Sequence, residues 1–352
     1  MKNWSTPFTQ AFGCRLPIVG APMADVSGGL LAAEVTRAGG LGFIAAGHLQ
    51  DLSELENQIK IFNDRAPNPN NNLAIGFIGF SSLATPTGWK NYEHILRTYK
   101  PSVVQFFAPS IIKNQNGTTN VELARRNGSK FIAQVGSIKE AKVAIAHKVD
   151  AIICQGREAG GHGLRRELGN SAMALASQTA QLTKDIPILA AGGFVHGKHV
   201  ASALCYCDGV SMGTRFWACK ESIGNQKLQQ ELLKDNSCDD VVRTRVFDQI
   251  HNELSKIKWP KPYDSSGVLR NGTTEKWDCE NPDRLLNAIE GLIIGDDISE
   301  QYKRARKLSD ASILCNYSGE GVGEVHAIEG ACNALMRIEK EAADAIDRLK
   351  SL

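Results

Sequence analysis

No apolar run in this 352-residue chain approaches the length that spans a bilayer. The opening MKNWSTPFTQAFG has no apolar core of the secretory-signal kind, so the expected location is intracellular, in the cytoplasm. Formal net charge is only +2, and no basic cluster alternates with aromatics, which argues against a nucleic-acid partner. The nine cysteines are odd in number and scattered, with neither a C-x-x-C pair nor metal-like spacing. Cys205 and Cys207 form a lone C-x-C that reads as two small buried hydrophobes. Reduced thiols and no bound metal are therefore expected. A G-x-x-x-x-G-K-[S/T] phosphate loop is absent, and so is a dinucleotide fingerprint after the first strand. What remains is 42% apolar and 22% charged, the composition of a globular protein with one large domain or two small ones.

Short β-rich runs alternate with amphipathic helical stretches. The runs are LPIVGAPM (16–23), LGFIAAG (41–47), LAIGFIGF (73–80), VVQFF (103–107), KFIAQV (130–135), DAIICQG (150–156), IPILAAGG (186–193) and DGVSMGTRF (208–216). Helical spacing fills the intervals, as at 29–38, 51–63, 137–147 and 171–183. Strands that are apolar along their whole length are buried on both faces, which calls for a parallel sheet sheathed by helices. Eight such units predict an α/β fold of the (β/α)₈ TIM-barrel type; a doubly wound open sheet usually has fewer strands. After Ser222 the chain turns more polar, and it carries the segment KWPKPYDSSGVLRNGTTEKW (258–277). The expected organisation is a barrel over 1–222, a smaller, mostly helical domain inserted after strand eight over 223–316, and a C-terminal segment over 317–352 returning to the barrel. PNPNNN (67–72) reads as a turn before the third strand.

Functional groups of such a barrel sit on loops after the strands' C-terminal ends. Four unusual loops fall there: APMADVSGG after strand one, GREAGGHG after strand six, AAGGF and MGTRF after strands seven and eight. Gly192-Gly193 and Gly213-Thr214 suit a phosphate site of bare backbone N–H groups, with the Thr214 hydroxyl as a further donor. Arg215 either neutralises that charge or makes an ion pair at the barrel rim. A phosphate there, facing the first-strand loop across the mouth, suits FMN. Ala21-Pro22-Met23 offers its ring backbone polar groups and a thioether, although Met23 alone reads equally as core packing. His162 stands in the run QGREAGGHG, either as an inconsequential loop residue or as a base held against a ligand. Glu158 could orient it, or could pair with Arg157 or Arg165. His48 could share the rim, His196 and His199 read as capping or solvent-facing, and His326 is a second choice for the base.

Together APMADVSGGLLAAEVTRAGGLG, QGREAGGHG, AAGGF and MGTRFWACKES resemble the nitronate monooxygenases, their fungal and class I members above all. The likeness runs over about 16–222 and resumes at Tyr317. It implies an FMN-dependent, metal-free TIM barrel that oxidises alkyl nitronates, and sometimes nitroalkanes, with O₂ to carbonyl compounds and nitrite. It also implies His162 as the active-site base. By the same likeness, Ala21, Pro22 and Met23 line the flavin ring, while Gly192, Gly193, Met212, Gly213, Thr214 and Arg215 hold the ribityl phosphate. His162 and Tyr317 would meet the small-molecule substrate, in a monomer or homodimer. This chain departs from the pattern at Gly20, where Gln is frequent, at Asp25, where Gly is frequent, and at Glu320, where Gln is common. The same barrel and FMN also fit an NAD(P)H-dependent quinone or enoyl-thioester reductase, and a flavin-binding protein without turnover is the non-enzymatic alternative.

Overall fold

The apolar runs fold where their burial demands it. In the computed structural model, which describes residues 4–48, 51–66, 72–254, 258–278, 285 and 298–352, every expected run contributes a strand. These are β1 (Ile18–Gly20), β2 (Leu41–Gly42), β3 (Ile44–Ala45), β4 (Ala74–Ile78), β5 (Val103–Phe107), β6 (Lys130–Val135) and β7 (Ala151–Gln155). A short β8 (Gly161–Gly163) stands apart, followed by β9 (Ile188–Ala191) and β10 (Gly209–Met212). Parallel pairing gives one nine-stranded sheet in the order β2-β1-β10-β9-β7-β6-β5-β4-β3. The second run, read as one strand, is split at Phe43: β2 pairs with β1, and β3 pairs with β4. The two ends of the sheet are thus neighbours in the chain, and the barrel all but closes across one buried phenylalanine. Phe43 packs inside the barrel with Val19, Ala74, Val103, Ile132 and Ile153. Phe8 and Phe12, stacked at 4.8 Å on the helix Pro7–Phe12, belong to the same cluster and plug the end away from the functional loops.

The segment after the barrel contributes helices at Gln226–Glu231, Val246–Leu254, Gly272–Trp277 and Ile298–Leu308, and also two strands. These are β11 (Val241–Thr244) and β12 (Ser265–Leu269). They pair antiparallel with each other, and β12 pairs antiparallel with β8, so the segment holds the GGHG loop in a three-stranded annex. The final helix, Ala331–Lys350, lays its buried stripe of Ala331, Ala334, Leu335, Ile338 and Ala342 against the barrel helices Gly197–Ala203 and Gly29–Arg37. Residues 67–71 of the PNPNNN stretch lie outside the described residues.

A bidentate ion pair pins the annex to the loop beyond β8. Arg165 Nε and Nη2 donate to the two Asp264 carboxylate oxygens, each at 2.7 Å. Burial pushes the Asp264 carboxyl up, but the fork of Arg165 and the nearby Arg245 outweigh it and hold the group below its usual range. A depressed folded-state pKa contributes stability above the unfolded value and loses it as pH falls through the folded one. Asp264→Asn is therefore expected to cost about 2 kcal/mol at neutral pH. It should also flatten the acid limb of stability, read by urea unfolding from about pH 7 down to about pH 3. An acid limb that the substitution leaves unchanged would remove this pair from the stability of the corner.

Candidate active site

The strand ends of the barrel open into a cavity of about 440 Å³. Of the residues expected at a site, Ala21, Pro22, Met23, His162, Gly192, Gly193, Gly213, Thr214 and Tyr317 all line it. Met212 and Arg215 do not. Met212 lies buried behind the wall, and its carbonyl accepts from the Ala21 amide at 2.9 Å. Arg215 is fully buried and spends its guanidinium on the carbonyls of Ala218 (2.7 Å) and Ala327 (2.8 Å), with Glu329 at 3.6 Å. A larger recess of about 840 Å³ lies outside the barrel among Lys227, Lys234 and Arg270, and it holds none of these residues.

Local geometry explains the loops. Ser27 donates to the Ala21 carbonyl at 2.9 Å and accepts from the Met23 amide at 3.2 Å, which fixes the Ala-Pro-Met turn. Gly192 and Gly193 have φ of 134° and 74°, a region that side chains other than glycine's rarely enter, so bare backbone faces the cavity. The Thr214 hydroxyl oxygen accepts from the Gly319 amide at 3.0 Å, which ties the eighth loop to the late glycine run. Within GGHG, a Cβ on Gly160 would stand 2.6 Å from the Ser318 backbone, so this glycine is required by close approach.

His162 lies on β8, opposite Ser266 of β12. Its ring stacks on Trp259 at 3.7 Å between centroids and 8° between planes, with the Tyr317 ring 5.5 Å away. Its Nε2 stands 2.7 Å from Asp248 Oδ1, and both side chains are nearly out of solvent, at 11% and 4% exposed. Sequence reasoning missed this partner: Glu158 accepts instead from the Ala172 amide at the start of the next helix. Asp248 sits in the first turn of the helix Val246–Leu254, where the peptide dipoles favour a carboxylate, and its second oxygen is buried without a partner. A carboxylate only accepts, so Nε2 carries a proton toward Asp248, and in the neutral form of the ring the lone pair is the one on Nδ1. Among the described residues Nδ1 has no hydrogen-bond partner.

Arg243 of β11 was also missed. Its guanidinium donates to the carbonyls of Ala159 (2.7 Å), Arg157 (3.2 Å), Ser265 (3.3 Å) and Gly161 (3.4 Å), and so clamps the His162 loop to the annex. Burial lowers its pKa to about 10. His48 does line the cavity, with Nε2 3.3 Å from Asp25 Oδ1. Asp25 itself has φ of 58°, the conformation that suits the glycine frequent at this position in the family it resembles. Glu320 is not in the wall, whereas Asp25 is, so the acid facing the cavity comes from the first loop. His196 caps the helix Gly197–Ala203, His199 pairs with Glu324 at 3.2 Å, and neither they nor His326 reach the cavity. Among the described residues no cluster of three or more metal-binding side chains occurs, and no helix is long and apolar enough to cross a membrane.

Comparison with known proteins adds a family to this geometry. The family model described as nitronate monooxygenase matches residues 5–256. A curated nitronate monooxygenase of Neurospora crassa is 27% identical, over 95% of this chain and 91% of its own length. Among solved structures, nitroalkane oxidase from Streptomyces ansochromogenes superposes with a TM-score of 0.75 at 24% identity, covering 97% of this chain and 99% of that one. FabK from Thermotoga maritima does so equally, at TM-score 0.75 and 24% identity, covering 99% of each chain.

Proposed function

Since the chain belongs to the nitronate monooxygenase family and is a flavin-dependent oxidoreductase, we propose that it uses FMN to oxidise alkyl nitronates, and nitroalkanes, with O₂ to carbonyl compounds and nitrite. The observation that carries this reading is the His162–Asp248 pair at the wall of a cofactor-sized cavity. The residues present suit FMN. Ala21-Pro22-Met23 would support the ring, and the bare backbone of Gly192-Gly193 with Gly213-Thr214 would hold the phosphate. Met212 and Arg215 would brace that wall from behind. When bound, the flavin supplies the electron chemistry and the reaction with O₂.

What this chain supplies is proton handling and position. A nitroalkane is a carbon acid, and Nδ1 of His162 takes its α-proton to leave the nitronate. The imidazolium so formed is balanced by Asp248, 2.7 Å from the far nitrogen. With a preformed nitronate the same ring orients and hydrogen-bonds the anionic nitro group. Trp259 fixes the ring plane, and the Tyr317 ring stands 5.5 Å away in the same wall. The test is anaerobic mixing of the FMN-loaded protein with ethyl nitronate and, separately, with NADPH. Ethyl nitronate should bleach the flavin, and NADPH should not. Bleaching by NADPH with none by the nitronate would replace this function with a reductase.

A further inference from the structure

Three glutamines line the cavity on neighbouring strands: Gln105 on β5, Gln134 on β6 and Gln155 on β7. Their amides form a chain. Gln155 Nε2 donates to the His162 carbonyl at 2.8 Å, Gln134 Nε2 to Gln155 Oε1 at 3.1 Å, and Gln105 Nε2 to Gln134 Oε1 at 2.7 Å. The direction of this chain is forced. A backbone carbonyl accepts and never donates, so Gln155 must turn its nitrogen to His162, and each amide behind it must follow. Gln105 ends the chain with a carbonyl oxygen left over. That Oε1 is buried and without a partner, on a residue only 2% exposed. A buried acceptor left bare is costly, and one whose orientation is enforced from three residues away is built to receive a donor.

We propose that Gln105 Oε1 accepts the imide N–H of the flavin's pyrimidine ring, an assignment that rests on the flavin reading above. The other occupants of the cavity offer nothing to it: nitronate anions, nitroalkanes and O₂ carry no N–H or O–H. An oxidised flavin ring carries a single N–H, that of N3. Position agrees with chemistry. In the sheet order, β7 and β6 separate β5 from β9, so Gln105 lies across the mouth from the glycines assigned to the phosphate. The far end of the ring, rather than the ribityl chain, reaches that side. The relay then links the cofactor ring to the main chain of the proposed base.

Apoprotein reloaded with FMN or with N3-methyl-FMN tests the assignment through flavin fluorescence quenching, without any turnover. The native protein should bind the methylated flavin at least roughly 10-fold more weakly than FMN. Gln105→Met, which keeps the side-chain volume, should bind the two alike. Equal affinity of the native protein for both flavins would overturn the assignment, and this arm needs no variant to fold. Weaker binding of FMN by Gln105→Met with the discrimination intact would also overturn it, and would move the acceptor to a ribityl hydroxyl. Failure of the native protein to take up either flavin would overturn the FMN reading itself, together with this one.

Discussion

A His162→Ala variant is expected to lose nitroalkane oxidation by roughly 10²- to 10⁴-fold, the range that a positioned general base contributes. It should keep its flavin. None of the groups assigned to the ring and phosphate depends on the imidazole: the Ala-Pro-Met turn is held by Ser27, and the phosphate wall by the glycines and Thr214. With preformed nitronate the loss should be much smaller, because no proton has to be removed. Removing the ring also strands Asp248, whose carboxylate is buried with one oxygen already unpartnered. An uncompensated buried charge costs about 3 kcal/mol, so lower stability is expected alongside the kinetic change. His162→Gln, which can still donate toward Asp248, separates the two effects: stability should recover and nitroalkane activity should not. Steady-state rates on the nitroalkane and its nitronate decide the matter. Equal rates for the native protein and both variants would refute the assignment of the base.

The second large effect is expected one residue away from the substrate. Asp248→Asn should lower kcat on nitroalkanes by roughly 10- to 100-fold, the worth of a buried hydrogen bond to a charged group. KM should change little, since Asp248 does not line the cavity. The reason is directional. A carboxylate can only accept, and so it holds the proton on Nε2; an amide can also donate, which would place the proton on Nδ1, where the lone pair is needed. Asp248 is thus a positioning residue. The decisive readout is the nitrogen spectrum of ¹⁵N-labelled His162, which should show a protonated Nε2 in the native protein and a changed proton distribution in the variant. A lowered kcat with an unaltered nitrogen spectrum would reduce Asp248 to packing.

The barrel and its rim were legible because their signals are local. Apolar runs such as VVQFF and DAIICQG are buried on both faces wherever they fold, and adjacent glycines such as Gly192-Gly193 mark where bare backbone comes close to a neighbour or a ligand. The break at Phe43 was not legible. LGFIAAG is apolar throughout, and only closure of the sheet demands that its halves pair with different neighbours. Asp248 was hidden for a different reason. It lies 86 residues from His162, in an unremarked stretch, VFDQI. It reaches the ring only because β8 pairs with β12, and β12 with β11, just before the helix that carries Asp248. Glu158 had the sequence proximity and lost, because its carboxylate caps a helix instead. The glutamine relay was equally silent: Gln105 and Gln134 sit in runs read for their apolar neighbours, and Gln155 opens a stretch read for its glycines and His162.

The three-stranded annex divides the labour of the molecule. The barrel owns the cavity floor, the first-loop turn and the glycines of loops seven and eight, whereas the stretch from Val241 to Leu269 owns the acid beneath His162, the aromatic plate beside it and the arginine that grips its loop. The strength of the proposed base and the hold on the proposed cofactor would therefore be adjustable separately. Exchanging that stretch for a relative's would carry its side chains around His162 onto this barrel, with the β8–β12 ladder, the Arg165–Asp264 fork and the Arg243 contacts among the seams to be matched.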